Sequence, residues 1–401
     1  MSSALTVPLG KVAEINPTFK SATISPDEFV DFLPMAAVDE GNSVALATEH
    51  RPLSDVQKGY TNFNDGDVLL AKITPCFENG KIAQVRLKYR YGFGSTEFHV
   101  VRPHSEKLDA RYLVHFLRRD EIRVDGARKM TGSAGQRRVP KHYLESLPIY
   151  LPPLPEQRRI AAILDQADAL RAKRREALAE LDQLTQSIFI EMFGSALNAP
   201  ARTAMGALME EFRYGTSEKS SSNGYPTLRI PNVASGSLDL TELKTVPVEP
   251  AEFQRLRLLA GDLLFVRTNG NPDNVGRCAV FDPTLVEKTG YDTNQFIYAS
   301  YLIRARLKKS TINPVVLQHY LSSGEGRRAL RARCKTSAGQ YNINTESLAA
   351  IPVPVLPPLL QEGFAERIEA LESLKINHRA SVAELNSLFS SLQHRAFRGE
   401  L

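Results

Sequence analysis

Between Leu151 and Phe193 the apolar positions Ile160, Leu164, Ala167, Leu178, Leu181 and Ile188 recur on the three- and four-residue spacing of one helical face, interrupted only at Arg174. Pro152, Pro153 and Pro155 open the segment where a missing N–H costs a helix nothing, and Glu156 sits at its positive end. The pattern predicts a rod ending near Phe193, roughly 50 Å long at about 1.5 Å per residue. It returns 204 positions later in Phe364, Ile368, Leu371, Val382, Leu385 and Leu392, with His378 answering Arg174 and LPPLLQE from Leu356 as its opening. One such stripe suits a helix packed on its own domain. Two at a fixed offset mark a duplicated unit, and the offset is far longer than the solenoid period of about 20–50 residues.

The remaining sequence carries shorter apolar runs divided by turn residues. Residues 1–150 predict strands at Phe32 to Val38, Asp67 to Ile73, Lys81 to Leu87 and Phe98 to Val101, then a helix near Arg111 to Arg123, with turns at Asp65-Gly66, Asn79-Gly80 and Gly92-Phe93-Gly94. The same plan follows the first rod. Gly66-Asp67-Val68-Leu69-Leu70 is matched by Gly261-Asp262-Leu263-Leu264-Phe265 at an offset of 195, which grows to 204 by Ser133-Ala134-Gly135-Gln136 and Ser337-Ala338-Gly339-Gln340. Small insertions of this kind belong in surface loops. The expected fold class is α+β: two similar α/β domains, residues 1–150 and 195–355, separated by two long helices, residues 151–194 and 356–401. Connectivity makes the helices antiparallel and coiled-coil-like and the whole a pseudo-twofold internal repeat.

Composition narrows this picture modestly. The chain has 401 residues, 42% of them hydrophobic, with 50 Lys and Arg against 45 Asp and Glu, a net charge of +5 and a pI near 9.0. That balance permits a polyanionic partner without requiring one. Cys76, Cys278 and Cys334 stand singly, without zinc spacing, which points to a reducing compartment and no structural metal. Neither a secretory leader nor an apolar run of membrane-spanning length is evident, so a cytoplasmic protein is expected.

The chemistry that stands out is recognition. After the Gly-Asp strand, Lys72, Thr74, Glu78, Asn79 and Lys81 gather in the first domain, and Arg267, Thr268, Asn269, Asn271, Asn274 and Arg277 in the second. Arg, Asn and Glu are the side chains that distinguish guanine, adenine and cytosine in the major groove, although Asn and Thr equally build turns. Gln136, Arg137, Arg138 and Gln340, Asn342 follow in the Ser-Ala-Gly-Gln segments. Basic residues flank both: Arg118, Arg119, Arg123, Arg128 and Lys129 in one domain, Arg327, Arg328, Arg331, Arg333 and Lys335 in the other. These are candidates for phosphate contact. No catalytic residue is singled out. Gly80-Lys81 is followed by Ile82 and fails as a phosphate-binding loop, Glu242-Leu243-Lys244 is a chance-length match to a nuclease pattern, and no methyltransferase tetrapeptide occurs.

LPPLPEQRRIAAIL, its copy LPPLLQE, the terminal SLQHRAFRGEL and the Gly-Asp-Val/Leu-Leu strands together resemble the specificity subunit of a type I restriction-modification system. The resemblance covers nearly the whole chain, and only Leu360-Gln361-Glu362 departs from the expected Pro-Glu-Gln. It implies a non-catalytic subunit that binds double-stranded DNA, each domain reading half of a bipartite target. It implies two methyltransferase subunits as partners, docking in part on Leu154, Pro155, Glu156, Gln157 and Arg158, and restriction or translocase subunits besides. S-adenosylmethionine, ATP and Mg would then sit on those partners, and this chain would hold no cofactor. Two other readings stay open: a scaffold with repeated protein-binding modules, and a duplicated DNA-modifying enzyme.

Overall fold

The computed structural model describes residues 5–19, 25–133, 135–287, 289–337 and 339–401. Ala134 and Ala338, within the two Ser-Ala-Gly-Gln segments, lie outside the described residues. The chain divides into two compact units, residues 1–177 with 378–401, and residues 178–377.

In the first unit the run Val68–Ala71 is buried on both sides, which is why it reads as apolar throughout rather than alternating. Val68 and Leu70 join one core with the helix Ala110–Leu117, whereas Leu69 joins another with Ala83, Val85 and Val100. The sheet runs in the order Ala13–Ile15, Phe98–Pro103, Val68–Ala71, Ile82–Arg86, Val44–Leu46, antiparallel except at its last pair. A second sheet contains Glu49–Pro52, Phe29–Leu33, Tyr91–Gly94 and Thr61–Asn64. Thr6–Pro8 pairs with Pro148–Tyr150 and brings the domain's two ends together.

Two sequence expectations shift here. The strand from Phe32 ends at Leu33, because Pro34 cannot donate to a ladder and Met35–Ala37 turns as a 3-10 helix. The single helix expected over Arg111 to Arg123 is two, Ala110–Leu117 and Asp120–Lys129. Between them Arg118 reaches inward, and its guanidinium donates to the carbonyls of Glu40, Asn42 and Ile82.

The second unit repeats four strands in the same spatial order: Met209–Tyr214, Leu302–Leu307, Leu263–Val266, Cys278–Val280. Arg202–Ala204 pairs with Pro352–Pro354, as the ends did in the first unit. The repeated Gly-Asp now has a cause. Gly66 and Gly261 take φ of +86° and +83°, a region open to glycine. The next residue, Asp67 or Asp262, closes the turn by accepting the N–H of Asn64 or Leu259. Its carboxylate also receives a two-pronged bond from Arg102 or Arg306, at 2.7–2.8 Å in both units.

The long helices span Leu154–Asn198 and Pro358–Ala396. The first outlasts Phe193 because Phe189 and Phe193 are themselves buried against Phe364 in the second unit. Within the first unit, Arg159 bonds Leu401, Arg171 bonds Asn386 and Arg174 meets His378, so numbers rise on one helix as they fall on the other. Within the second unit, Asp182 and Thr185 meet Lys375 while Phe193 meets Phe364, again antiparallel.

Candidate nucleic-acid interface

Past the Gly-Asp strand, each unit builds a similar small frame, joined by equivalent backbone bonds. In the first, the Lys72 N–H donates to the Glu97 carbonyl at 2.8 Å, and the Lys72 carbonyl accepts from Val139 at 2.8 Å. In the second, Arg267 donates to Tyr301 and accepts from Ile343, both at 2.9 Å. Arg138 is bridged to Ile73 and Thr131, as Asn342 is paired with Thr268 and Lys335. The frame therefore equates Lys72 with Arg267, Glu97 with Tyr301 and Arg138 with Asn342. It also lays the loop after the strand beside the Ser-Ala-Gly-Gln hairpin, joining candidates that are far apart in sequence.

The side chains on the first frame divide into held and free. Arg138 grips Glu97 through Nε and Nη2 at 2.9 and 2.8 Å, and this hydrogen bonding holds the Glu97 carboxyl below the usual range. Thr74 Oγ1 donates to Glu78 Oε1 at 3.0 Å, Asn79 donates to Glu40 at 2.9 Å, and Lys81 lies 3.5 Å from the Met35 carbonyl. Lys72, Gln136 and Arg137 make no side-chain hydrogen bond among the described residues, and the last two are exposed. Beneath them His99 Nε2 donates to the Val139 carbonyl at 2.8 Å while Nδ1 faces the Asn16 amide at 3.0 Å. Burial pushes the His99 pKa down.

On the second frame the Asn-rich loop largely builds itself. Asn269 Oδ1 accepts from the Asn271 N–H at 2.9 Å and from the Asn274 side chain at 3.4 Å, and Asn271 Oδ1 accepts from the Asp273 N–H at 2.9 Å. Arg277 donates to the carbonyls of Asp273 and Ala234, and Arg331 pairs with Asp273. Arg267 lies 4.7 Å from the Tyr214 ring and donates one bond of 3.2 Å to the Ser300 carbonyl, leaving most of its fork unused. Thr268, Gln340 and the exposed Asn271 amide face no side-chain acceptor among the described residues.

The basic clusters thin out in the same way. Arg118, Arg123 and Arg327 staple backbone carbonyls, while Arg119 pairs with Glu121. Arg128, Lys129, Arg328 and Lys335 remain exposed without a side-chain hydrogen bond among the described residues. Sequence reading passed over Glu97, His99, Tyr214 and Tyr301. The 204-residue offset, applied to Ser95-Thr96-Glu97, lands on Ala299-Ser300-Tyr301 and would have flagged the position.

The motif at the first helix start needs one correction. Gln157 was expected at a partner surface, but it is fully buried: Oε1 accepts the Asp109 N–H at 2.9 Å, and Nε2 donates to the Lys107 and Pro152 carbonyls, both at 2.8 Å. Every donor and acceptor it owns is used inside the unit. Gln361, 204 positions on, accepts from Asn313 and donates to Leu356 in the same manner, and the helix there starts regularly at Pro358. Pro155 and Arg158 are exposed, Leu154 is half-buried, and half-buried Glu156 pairs with Arg159 at 2.7 Å.

Residues 3–182 match the family model for the type I restriction modification DNA specificity domain. The match takes in a little under half of the chain, all of it in the first domain and the first long helix. Among its relatives is the EcoAI type I restriction enzyme specificity subunit of Escherichia coli, 39% identical over 186 residues, which are 45% of this chain and 31% of that protein. The chain thus spans about a third of the length of such relatives, since the E. coli EcoEI subunit is likewise matched over 32% of its length. The EcoKI specificity subunit of E. coli strain K12 aligns at 28% identity over 349 residues, covering 80% of this chain and 72% of that one. The specificity-domain match ends inside the first long helix, and the second frame is likened to the first by the internal repeat. A type I restriction-modification S subunit from M. genitalium shares the fold, with a TM-score of 0.52 at 13% identity over 99% of this chain and 97% of that one. So does a chain from work on complex assembly and conformational transition of the type I R-M system, at 0.56 and 19% identity over 100% and 99%.

Proposed function

We propose that this chain is a sequence-specific DNA-binding subunit which reads a bipartite target, one half through each frame, and brings methyltransferase and restriction subunits to it. The observation that carries this reading is the pair of frames, alike in the backbone bonds that join their three segments and different in side chains. A common scaffold with Lys72, Glu97 and Arg138 on one copy and Arg267, Tyr301 and Asn342 on the other suits two different base sequences. Arg128, Lys129, Arg328 and Lys335 supply phosphate contacts around them.

Two methyltransferase copies are favoured by the long helices. Leu170 and Leu374 are both exposed and 204 apart, as are Leu184 and Leu388. The Arg171–Asn386 bond puts Leu170 and Leu388 at one level of the first unit, and Lys375 with Asp182 does the same for Leu374 and Leu184 in the second. Each unit then offers the same apolar pair to one copy of one partner. The methyl donor, ATP and Mg belong to the partners in this reading, and the complex acts in the cytoplasm.

The test is competition binding of the chain, assembled with its methyltransferase partner, to single-base variants of the methylated site. Arg267→Ala should relax one position by about 1–3 kcal/mol, whereas Lys129→Ala should weaken all sequences alike and lower the log–log salt slope by about 0.9. A chain that binds duplexes without preference, or with no salt slope, is a protein scaffold instead. Methyl transfer by the isolated chain would revive the enzyme reading.

A further inference from the structure

Tyr301 is an exposed ring with no task inside its own unit. It is 59% exposed, while Tyr298 three residues earlier is fully buried, and it has no side-chain hydrogen bond or ring contact among the described residues. Its backbone is nonetheless pinned: Ser300 donates to Thr216 at 2.7 Å, Leu302 closes a turn onto Ala299 at 2.9 Å, and the Tyr301 carbonyl holds Arg267. The ring is thus presented from a rigid support beside the one Arg of this frame whose fork is mostly unused.

Its equivalent shows where that position points. Glu97 reaches across the frame to Arg138, whose counterpart is Asn342. The exchange is coupled: an ion pair that satisfies itself in the first unit is replaced in the second by a phenol and an amide that do not satisfy each other. Resting on the DNA-reading function above, we propose that Tyr301 is a specificity-determining residue of the second unit and that its ring takes the 5-methyl group of a thymine in the major groove. Thymine is the base that presents an apolar group there, and a ring edge with no competing partner is the matching surface. Arg267, bonded to the Tyr301 carbonyl, and Asn342 beyond it across the frame supply the polar readout of neighbouring bases.

The experiment uses the full chain assembled with its methyltransferase partner and a duplex carrying its own site. Each thymine of the half-site read by the second unit is replaced singly by deoxyuridine, which removes only the methyl group. One replacement should weaken binding about fourfold, the factor that one buried methyl contributes. Tyr301→Phe should keep that sensitivity, and Tyr301→Ala should abolish it while binding to a scrambled duplex stays unchanged. A half-site without thymine, indifference to every deoxyuridine, or full sensitivity in Tyr301→Ala overturns the assignment and leaves the function intact. Equal weakening of site and scrambled duplex by Tyr301→Ala overturns it as well. A wild-type complex that does not prefer its site to a scrambled duplex overturns the functional reading itself, and this inference with it.

Discussion

Arg171 and Lys375 are the same residue position in the two long helices, 204 apart, and each clamps the opposing helix of its own unit through equivalent partners. Arg171 bonds Asp168 at 3.0 Å and Asn386 at 2.8 Å and lies over Phe389. Lys375 bonds Glu372 at 2.9 Å, Asp182 at 2.9 Å and Thr185 at 3.1 Å. Asp168 and Glu372, Asn386 and Asp182, Phe389 and Thr185 are each related by the same offset. A polar clamp inside an apolar seam opposes sliding, because any shift of register strands the cation.

This makes a charge-specific prediction. Lys375 is only 4% exposed, whereas its partners Asp182 and Glu372 are 67% and 35% exposed. Lys375→Met therefore leaves those carboxylates in reach of water, fills the site with an apolar chain of similar length, and should change the stability of the second unit by no more than about 1 kcal/mol. Lys375→Glu, set against Asp182 and Glu372, should cost about 3–5 kcal/mol. Urea melts of the two variants decide it. Equal losses would mean that packing alone, not the charge, fixes the helices there.

Gln157 should matter to folding before it matters to partners. Gln157→Ala leaves the Asp109 N–H and the Lys107 and Pro152 carbonyls without their bonds, at a cost of about 1–3 kcal/mol. The readout is the melting midpoint of the free chain, followed by methyltransferase affinity well below that midpoint. A loss of affinity with unchanged stability would return Gln157 to the partner surface.

How far the sequence spoke depends on what each residue's job leaves visible. The helices were legible because Ile160, Leu164 and Phe364 are buried at the helical period, and the duplication because Gly66-Asp67 and Gly261-Asp262 are held by turn geometry few other pairs satisfy. Arg118 and Arg327 misled because a cation that staples carbonyls has the same letter as one that meets phosphate. The buried Gln157 misled for the opposite reason, since a motif invites a partner even when its bonds are internal. Glu97 and Tyr301 stayed hidden because unlike residues share one position, which the 204-residue offset marks and the matching backbone bonds explain.

The His99 environment predicts a pH response in the first unit. Nε2 donates to Val139 and Nδ1 accepts from the Asn16 amide, so the ring is held neutral, with nearby Lys72 and Lys141 opposing its protonation further. Its pKa is lowered from the ordinary 6.5 by burial, so the unfolded chain takes up the proton first. The stability due to neutral His99 is complete above 6.5 and lost as the pH falls below it. Melting midpoints between pH 7.5 and 5.5, about one unit either side of that value, should drop more for wild type than for His99→Gln. Parallel curves would show that His99 does not titrate on unfolding.

Exchange of one reading unit for a relative's should change one half of the target, and the fold dictates where to cut. A junction at residue 140 would separate Leu9 from the Leu147 carbonyl to which it donates at 2.8 Å and split the Thr6–Pro8 ladder from Pro148–Tyr150. Cutting after Leu151 keeps both within the transplant. The graft must also meet the retained helices, where Gln157 expects the Asp109 N–H, Asp165 expects His115 at 2.8 Å with Arg111, and Gln393 expects the His115 carbonyl at 2.9 Å. Burial pushes the Asp165 carboxyl up, yet the bonds from His115 and Arg111 outweigh it and hold the group at about 2, so a donor lacking either would leave this contact weaker. A relative that keeps Asp109, Arg111 and His115 should give a hybrid as stable as the parent. Methylome sequencing of its host should then show one half-site replaced and the other, read through Arg267 and its neighbours, unaltered. Changes in both halves from a stable hybrid would show that the two frames do not read independently, and the bipartite reading would fall.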